Sequence, residues 1–137
     1  MKLITDRQKS KMLQNGKRAY LEADFDPIPI VKLFTPDGAC TWLLTHLDPE
    51  DHDIAYGLCD IGLGFAECGT VRISELSKLR GPLGLLVERD MSFDADYPLS
   101  VYARAAMDGY FHGEAFITFD PAKLAKAAEE LGKGGRL

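Results

Sequence analysis

The residues Asp48-Pro49-Glu50-Asp51-His52-Asp53 hold the densest set of chemically competent side chains in the sequence. Carboxylates at this density can bind a hard cation through oxygen ligands. With His46 close by, Asp51, His52 and Asp53 are also candidate ligands for a transition metal. A metal-dependent, hydrolase-like enzyme would be built around Asp48, Asp51, His52 and Asp53. The spacing argues against these readings: no glycine sits mid-loop, no glutamate closes it at EF-hand distance, and no HxxxH or HExxH occurs. A solvated acidic turn, with Asp48 as an Asx-turn or N-cap residue, is the simpler expectation. Asp24 and Asp26 add two carboxylates upstream. A two-carboxylate acid–base site needs its groups close together. Placed at opposite ends of the expected sheet, the two segments would stand roughly 20 Å apart.

The remaining nucleophiles and bases lack partners of a recognised kind, and no catalytic residue or cofactor is expected. His46 alternates with Trp42 and Leu44, which puts it on the Trp42 face as a partly buried, satisfied histidine. His112 alternates with Glu114 as a solvent-facing pair. Cys40, Cys59 and Cys68 are odd in number and lack CxxC spacing, so buried reduced thiols are expected. Gly57, Gly62, Gly64 and Gly69 mark tight turns, since no GxxxxGK[ST] accompanies them. Trp42, Tyr56, Phe65 and Tyr110 would form a nucleic-acid stacking platform only in a basic groove; core packing is the expectation.

Charge is unevenly spread along the 137 residues, whose net charge is −5. Residues 1–20 carry six Lys/Arg against one Asp, whereas residues 21–70 carry one Lys against ten Asp/Glu. An acidic middle disfavours a broad nucleic-acid footprint. It suits contact with a basic patch on another protein, with Asp48, Glu50, Asp51, Asp53, Asp24 and Asp26 as candidate contact residues. Weak nucleic-acid binding through Lys9, Lys11, Lys17 and Arg18 is a second alternative. A chain of this length and 46% apolar content forms one domain with its own core. No apolar run reaches membrane-span length. The start, with a short apolar stretch before charge returns, does not read as a signal peptide, so a cytoplasmic location is expected.

The elements that would position these groups alternate in type. Thr5-Asp6-Arg7-Gln8 has capping-box spacing and Asn15-Gly16 reads as a stop, predicting a helix from about Asp6 to Gln14. Ile30–Phe34 and Ala39–His46 flank Thr35-Pro36-Asp37-Gly38 and read as a hairpin. Ile54, Tyr56 and Leu58 alternate as a third strand, and Thr70–Ile73 forms a short fourth. Ser74 is placed to cap a brief helix, Glu75–Leu79, and Leu85–Glu88 reads as another strand. Leu99, Tyr102, Ala103 and Ala106 fall at helical spacing up to Gly109. Phe111, Ala115, Ile117 and Phe119 suggest a last strand. Asp120-Pro121 opens a final helix with the stripe Leu124, Ala128, Leu131 and a stop at Gly132, followed by a frayed tail. The fold class is α+β: a mainly antiparallel sheet of short strands packed against several helices in a single domain.

The strings DFDPIPIVKLFTP (24–36), TWLLTHLDPED (41–51), GLCDIGLGF (57–65) and SELSKLRGPLGLLVERD (74–90) occur in that order. Together with the helix ending in Gln14-Asn15-Gly16, they resemble a bacterial domain-of-unknown-function family. Its members are short proteins common on plasmids, prophages and other mobile elements. The resemblance spans about residues 5–107. It divides the single domain 1–137 into an N-terminal helix (1–16), a family-like core (24–108) and a strand–helix extension (110–137). It implies a small cytoplasmic protein with a mobile-element role, and it brings no activity, cofactor or catalytic residue. The expectation is an uncharacterised, non-enzymatic accessory factor that binds another protein through its acidic surface.

Overall fold

The computed structural model describes residues 2–110 and 113–133. In chain order the elements are α1 (Asp6–Leu21), β1 (Val31–Phe34), β2 (Thr41–Leu47), β3 (Ile54–Asp60), β4 (Glu67–Arg72), α2 (Ile73–Leu76), β5 (Glu88–Arg89), α3 (Leu99–Tyr110) and α4 (Pro121–Leu131). The five strands form one antiparallel sheet in the order β4-β3-β2-β1-β5. The architecture is α+β in a single domain, as the hairpin signals require. No described helix is long and apolar enough to cross a membrane.

Both faces of the sheet are covered. Val31, Leu33, Trp42, Leu44, Leu47 and Ala55 pack with Met12 of α1 on one face. Leu43 and Leu58 pack with Leu99, Val101 and Tyr102 of α3 and Leu124 and Ala128 of α4 on the other. Leu33, Leu43, Leu44, Leu47 and Leu58 are fully buried, and burial of each contributes about 1.5–3 kcal/mol. Two-sided burial explains why β2 reads as a nearly continuous apolar run beneath its alternation. Trp42 lies on the α1 face and Tyr56 packs on the other, so these two share no stacking platform.

Helix α1 starts as expected: Gln8 N donates to Thr5 Oγ1 at 3.1 Å and Thr5 N donates to Gln8 Oε1 at 2.9 Å. It does not stop at Asn15-Gly16 but runs on to Leu21. Both residues are buried against β2, where Asn15 Nδ2 donates to Thr45 O at 3.0 Å. A Cβ on Gly16 would fall 1.9 Å from Leu47 O, so glycine here marks close approach of helix and strand rather than a terminus.

Other boundaries shift for identifiable reasons. The brief helix is Ile73–Leu76, and Ser74 lies inside it. Asp53 supplies the cap, accepting from Ser74 N at 2.9 Å and from Ser74 Oγ at 2.6 Å. The strand expected at Leu85–Glu88 begins at Glu88, because Asp37 Oδ2 holds the preceding loop through Leu83 N at 2.7 Å and Leu85 N at 3.1 Å. The last expected strand is reduced to one bridge between Phe65 and Ala115. The Ile117 N–H goes to the Asp60 carboxylate at 2.9 Å instead of to a ladder. Phe111, the His112 half of its pair with Glu114, and the tail from residue 134 lie outside the described residues. Helix α4 has the expected Asp120 cap and Gly132 in the left-handed conformation.

Candidate functional site

A β-bulge decides the face on which His46 lies. The β2–β3 register passes from Leu44↔Gly57 to His46↔Tyr56, leaving Thr45 as the extra residue. A bulge inverts the inside–outside alternation of all that follows. His46 therefore leaves the Trp42 face and stacks on Tyr56, with ring centroids 4.9 Å apart. Thr45 secures the bulge: its hydroxyl donates to Tyr56 O at 3.2 Å and lies 2.9 Å from His46 Nδ1. A hydroxyl has one proton. With that proton on the Tyr56 carbonyl, Nδ1–H of His46 donates to Thr45 and Nε2 keeps its lone pair.

This pair lines a cleft of about 570 Å³ between α3 and the β2–β3–β4 side of the sheet. Phe25, Pro27, Leu58, Leu99, Met107 and Leu131 supply apolar wall, and Asp26, Cys68 and Arg104 supply polar groups. His46 and Tyr56 also line a smaller depression of about 270 Å³ bounded by Tyr20, Asp48 and Glu50. The cleft and the acidic turn thus meet across the His46–Tyr56 stack.

Burial and pairing set the state of most polar groups in the cleft, while Glu67 lies exposed at its edge. Burial lowers the His46 pKa, against the Asp48 carboxylate, which acts to raise it. Burial raises Tyr56, with Cys68 adding to the effect. Burial likewise raises Cys68, opposed by its hydrogen bond with Tyr56. On the α1 face, burial pushes Cys59 up to about 11. All three cysteines are free, Cys40 and Cys59 half-buried and Cys68 on the exposed edge strand. Raised thiol pKa values disfavour thiolate nucleophiles. For Asp26, burial raises the pKa, but hydrogen bonds from Lys133 and Ser100 outweigh it and hold the carboxyl below its usual range. Asp26 accepts from Ser100 N at 3.0 Å, from Ser100 Oγ and from Lys133 Nζ. It therefore caps α3 and ties the end of α4 to the start of β1.

The aspartates of residues 48–53 are spent on backbone caps and on Arg72. Asp48 Oδ1 accepts from Glu50 N at 2.8 Å and Asp51 N at 3.3 Å, the expected Asx turn. Asp51 Oδ1 accepts from Asp53 N at 3.1 Å, and Oδ2 pairs with Arg72 at 3.1 Å. Hydrogen bonds from Ser74 hold Asp53 below the usual carboxylate range, and Arg72 adds to the effect. His52 is exposed. Among the described residues no group of three His, Cys, Asp or Glu side chains is placed to hold a metal. Asp51, His52 and Asp53 thus form a turn and a remote helix cap, not a convergent ligand set.

The two acidic segments share one end of the sheet. In the antiparallel β1–β2 pair, Val31 faces Leu44 and Ile30 N donates to Leu44 O at 2.8 Å. The chain entering β1 therefore lies beside the end of β2, which corrects the placement at opposite ends. Asp24 and Glu50 are exposed there, and no side-chain partner for either carboxylate occurs among the described residues. The basic N-terminal residues are partly neutralised locally: Arg18 pairs with Glu22 at 2.9 Å and its guanidinium sits 4.2 Å from the Phe25 ring centroid.

His46 gives the site a pH signature. Its folded pKa lies below the unfolded value of 6.5, so the unfolded chain takes up the proton first on acidification. The stability it contributes is complete above that value and declines as pH falls through it. The urea midpoint should drop from about pH 7.5 to about pH 5.5, and His46→Phe, which keeps a ring on Tyr56, should drop less. Equal drops would remove His46 from the cause.

Residues 3–110 match the family described as Protein of unknown function (DUF2958). The chain belongs to this family. The matched span ends with α3, so α4, which completes the second core and closes one side of the cleft with Leu131, follows it. No curated protein and no solved structure matches the chain.

Proposed function

We propose that this protein is a non-enzymatic binding factor whose cleft receives an apolar or aromatic segment of another protein. Asp24, Asp48 and Glu50 favour a basic flank on that segment. The observation carrying this reading is the junction at the His46–Tyr56 stack, where a largely apolar cleft opens beside the acidic end of the sheet. Apolar concavity with a few polar groups suits recognition, and raised thiol and phenol pKa values do not suit nucleophilic chemistry at neutral pH. Of the six carboxylates, Asp26, Asp51 and Asp53 build the site through their caps and pairs, while Asp24, Asp48 and Glu50 set its charge. An accessory role in a mobile element rests on the sequence resemblance.

The test is capture by the tagged protein from its native cytoplasm at low salt with nuclease present, followed by titration of the purified partner. The expected result is one stoichiometric protein partner whose affinity falls with added salt. Asp24→Asn with Glu50→Gln should weaken it by roughly thirtyfold at most, since exposed charges contribute about 1 kcal/mol or less each. Tyr56→Ala, which removes the floor of the cleft, should weaken it further. A partner indifferent to both changes, or a stoichiometric metal with no partner, would overturn the reading.

A further inference from the structure

The other end of the sheet has a different character. Three segments meet there: the β1–β2 turn (35–40), the β3–β4 loop (61–66) and the loop leading to β5 (79–87). They are locked together. A Cβ on Gly62 would fall 2.7 Å from Ala39 Cβ, and one on Gly81 would fall 1.8 Å from Asp37 Oδ1. Asp37 holds Leu83 N and Leu85 N, and the buried Asp60 holds Gly62 N at 2.8 Å. On this fixed backbone Ile61, Leu63, Leu79, Leu83, Leu85 and Leu86 are between 41% and 83% exposed.

Apolar side chains gathered on ordered loops mark an interaction surface. Residues 61–66 and 81–87 contain no charged residue, so nothing in them selects a partner of opposite charge. Arg80, at the border, is exposed and donates to Gly84 O at 2.6 Å. The area also decides. At roughly 100 Å² for a half-exposed large side chain, these six expose about 600 Å² per copy. Two copies would then bury about 1,200 Å², where stable specific interfaces begin. Interfaces between identical subunits are the more apolar kind, and a two-fold pair needs only that the patch fit itself.

We infer that two copies of this chain pair through this apolar end. The pairing leaves Asp24 and Glu50, at the opposite end of the sheet, uncovered.

Sedimentation velocity of the full chain, alone in buffer, tests this without any partner protein. The mass should rise from one copy toward two as concentration increases from about 1 to about 100 µM. Leu83→Asp and Leu63→Asp, in separate loops, should each raise the dissociation constant at least about tenfold. Their urea midpoints should stay near that of the unsubstituted chain, because both side chains are exposed. Asp24→Asn should leave the dimer intact. A single-copy mass at about 100 µM, or a dimer indifferent to both leucine substitutions, overturns the inference, whatever else binds this face.

Discussion

Gly16→Ala should destabilise the protein by roughly 3 kcal/mol or more, although glycine-to-alanine in an open helix stabilises by about 1 kcal/mol. The sign reverses because the new methyl carbon would fall 1.9 Å from Leu47 O and 3.1 Å from Leu47 C. Both atoms are backbone in a strand held on two sides, so neither yields as a flexible side chain would. Relief requires α1 to lift from β2. That motion opens the packing around Met12, which is fully buried, and stretches the Asn15 bond to Thr45 O. A buried carbonyl left without its donor costs about 1–3 kcal/mol more. The thermal midpoint should fall by about 10 °C. Gly69→Ala is the control: no atom lies within 4 Å of its Cβ position, and its effect should stay within about 0.5 kcal/mol. A midpoint unchanged by Gly16→Ala would mean that α1 does not approach β2 this closely.

That glycine shows where sequence reading succeeds and where it stops. Asn-Gly is a common helix stop, and nothing local distinguishes a stop from a close crossing. The difference lies in a strand 30 residues away along the chain, in the Asn15–Thr45 pair. Features with short-range causes are legible. The Thr5–Gln8 box, the turn between β1 and β2, and the Asp120 and Gly132 caps of α4 all depend on neighbours within a few residues. The acidic turn is legible as a turn, but the use of its carboxylates is not. Asp53 caps a helix that starts 20 residues later, and Asp26 reaches Ser100 at a separation of 74. The cleft is hidden for the same reason and for one more. Its central pair exists only because Thr45 is bulged, and a strict two-residue alternation puts His46 on the wrong face. A threonine before a histidine carries no local sign of a bulge.

Asp60→Ala should cost about 3–5 kcal/mol, the largest effect expected of any carboxylate here. Asp60 is buried, and each oxygen has one backbone donor: Gly62 N at 2.8 Å on Oδ1 and Ile117 N at 2.9 Å on Oδ2. Alanine removes both acceptors and leaves two N–H groups whose alternatives to water are poor. The consequences are spread over the chain. Gly62 belongs to the loop that presents Ile61 and Leu63. Ile117 lies in the extended segment that delivers α4 to α3, and with it Leu124 and Ala128 to the second core. Asn is the informative comparison. It keeps one acceptor oxygen but sets an NH₂ group against the other N–H, so Asp60→Asn should fall between Ala and the unsubstituted chain. Chemical denaturation measures the loss, and amide exchange locates it: Gly62 and Ile117 should lose protection by more than the change in global stability. An Asp60→Ala effect below about 1 kcal/mol would show that water replaces the carboxylate, and that the C-terminal segment is held by its apolar contacts alone.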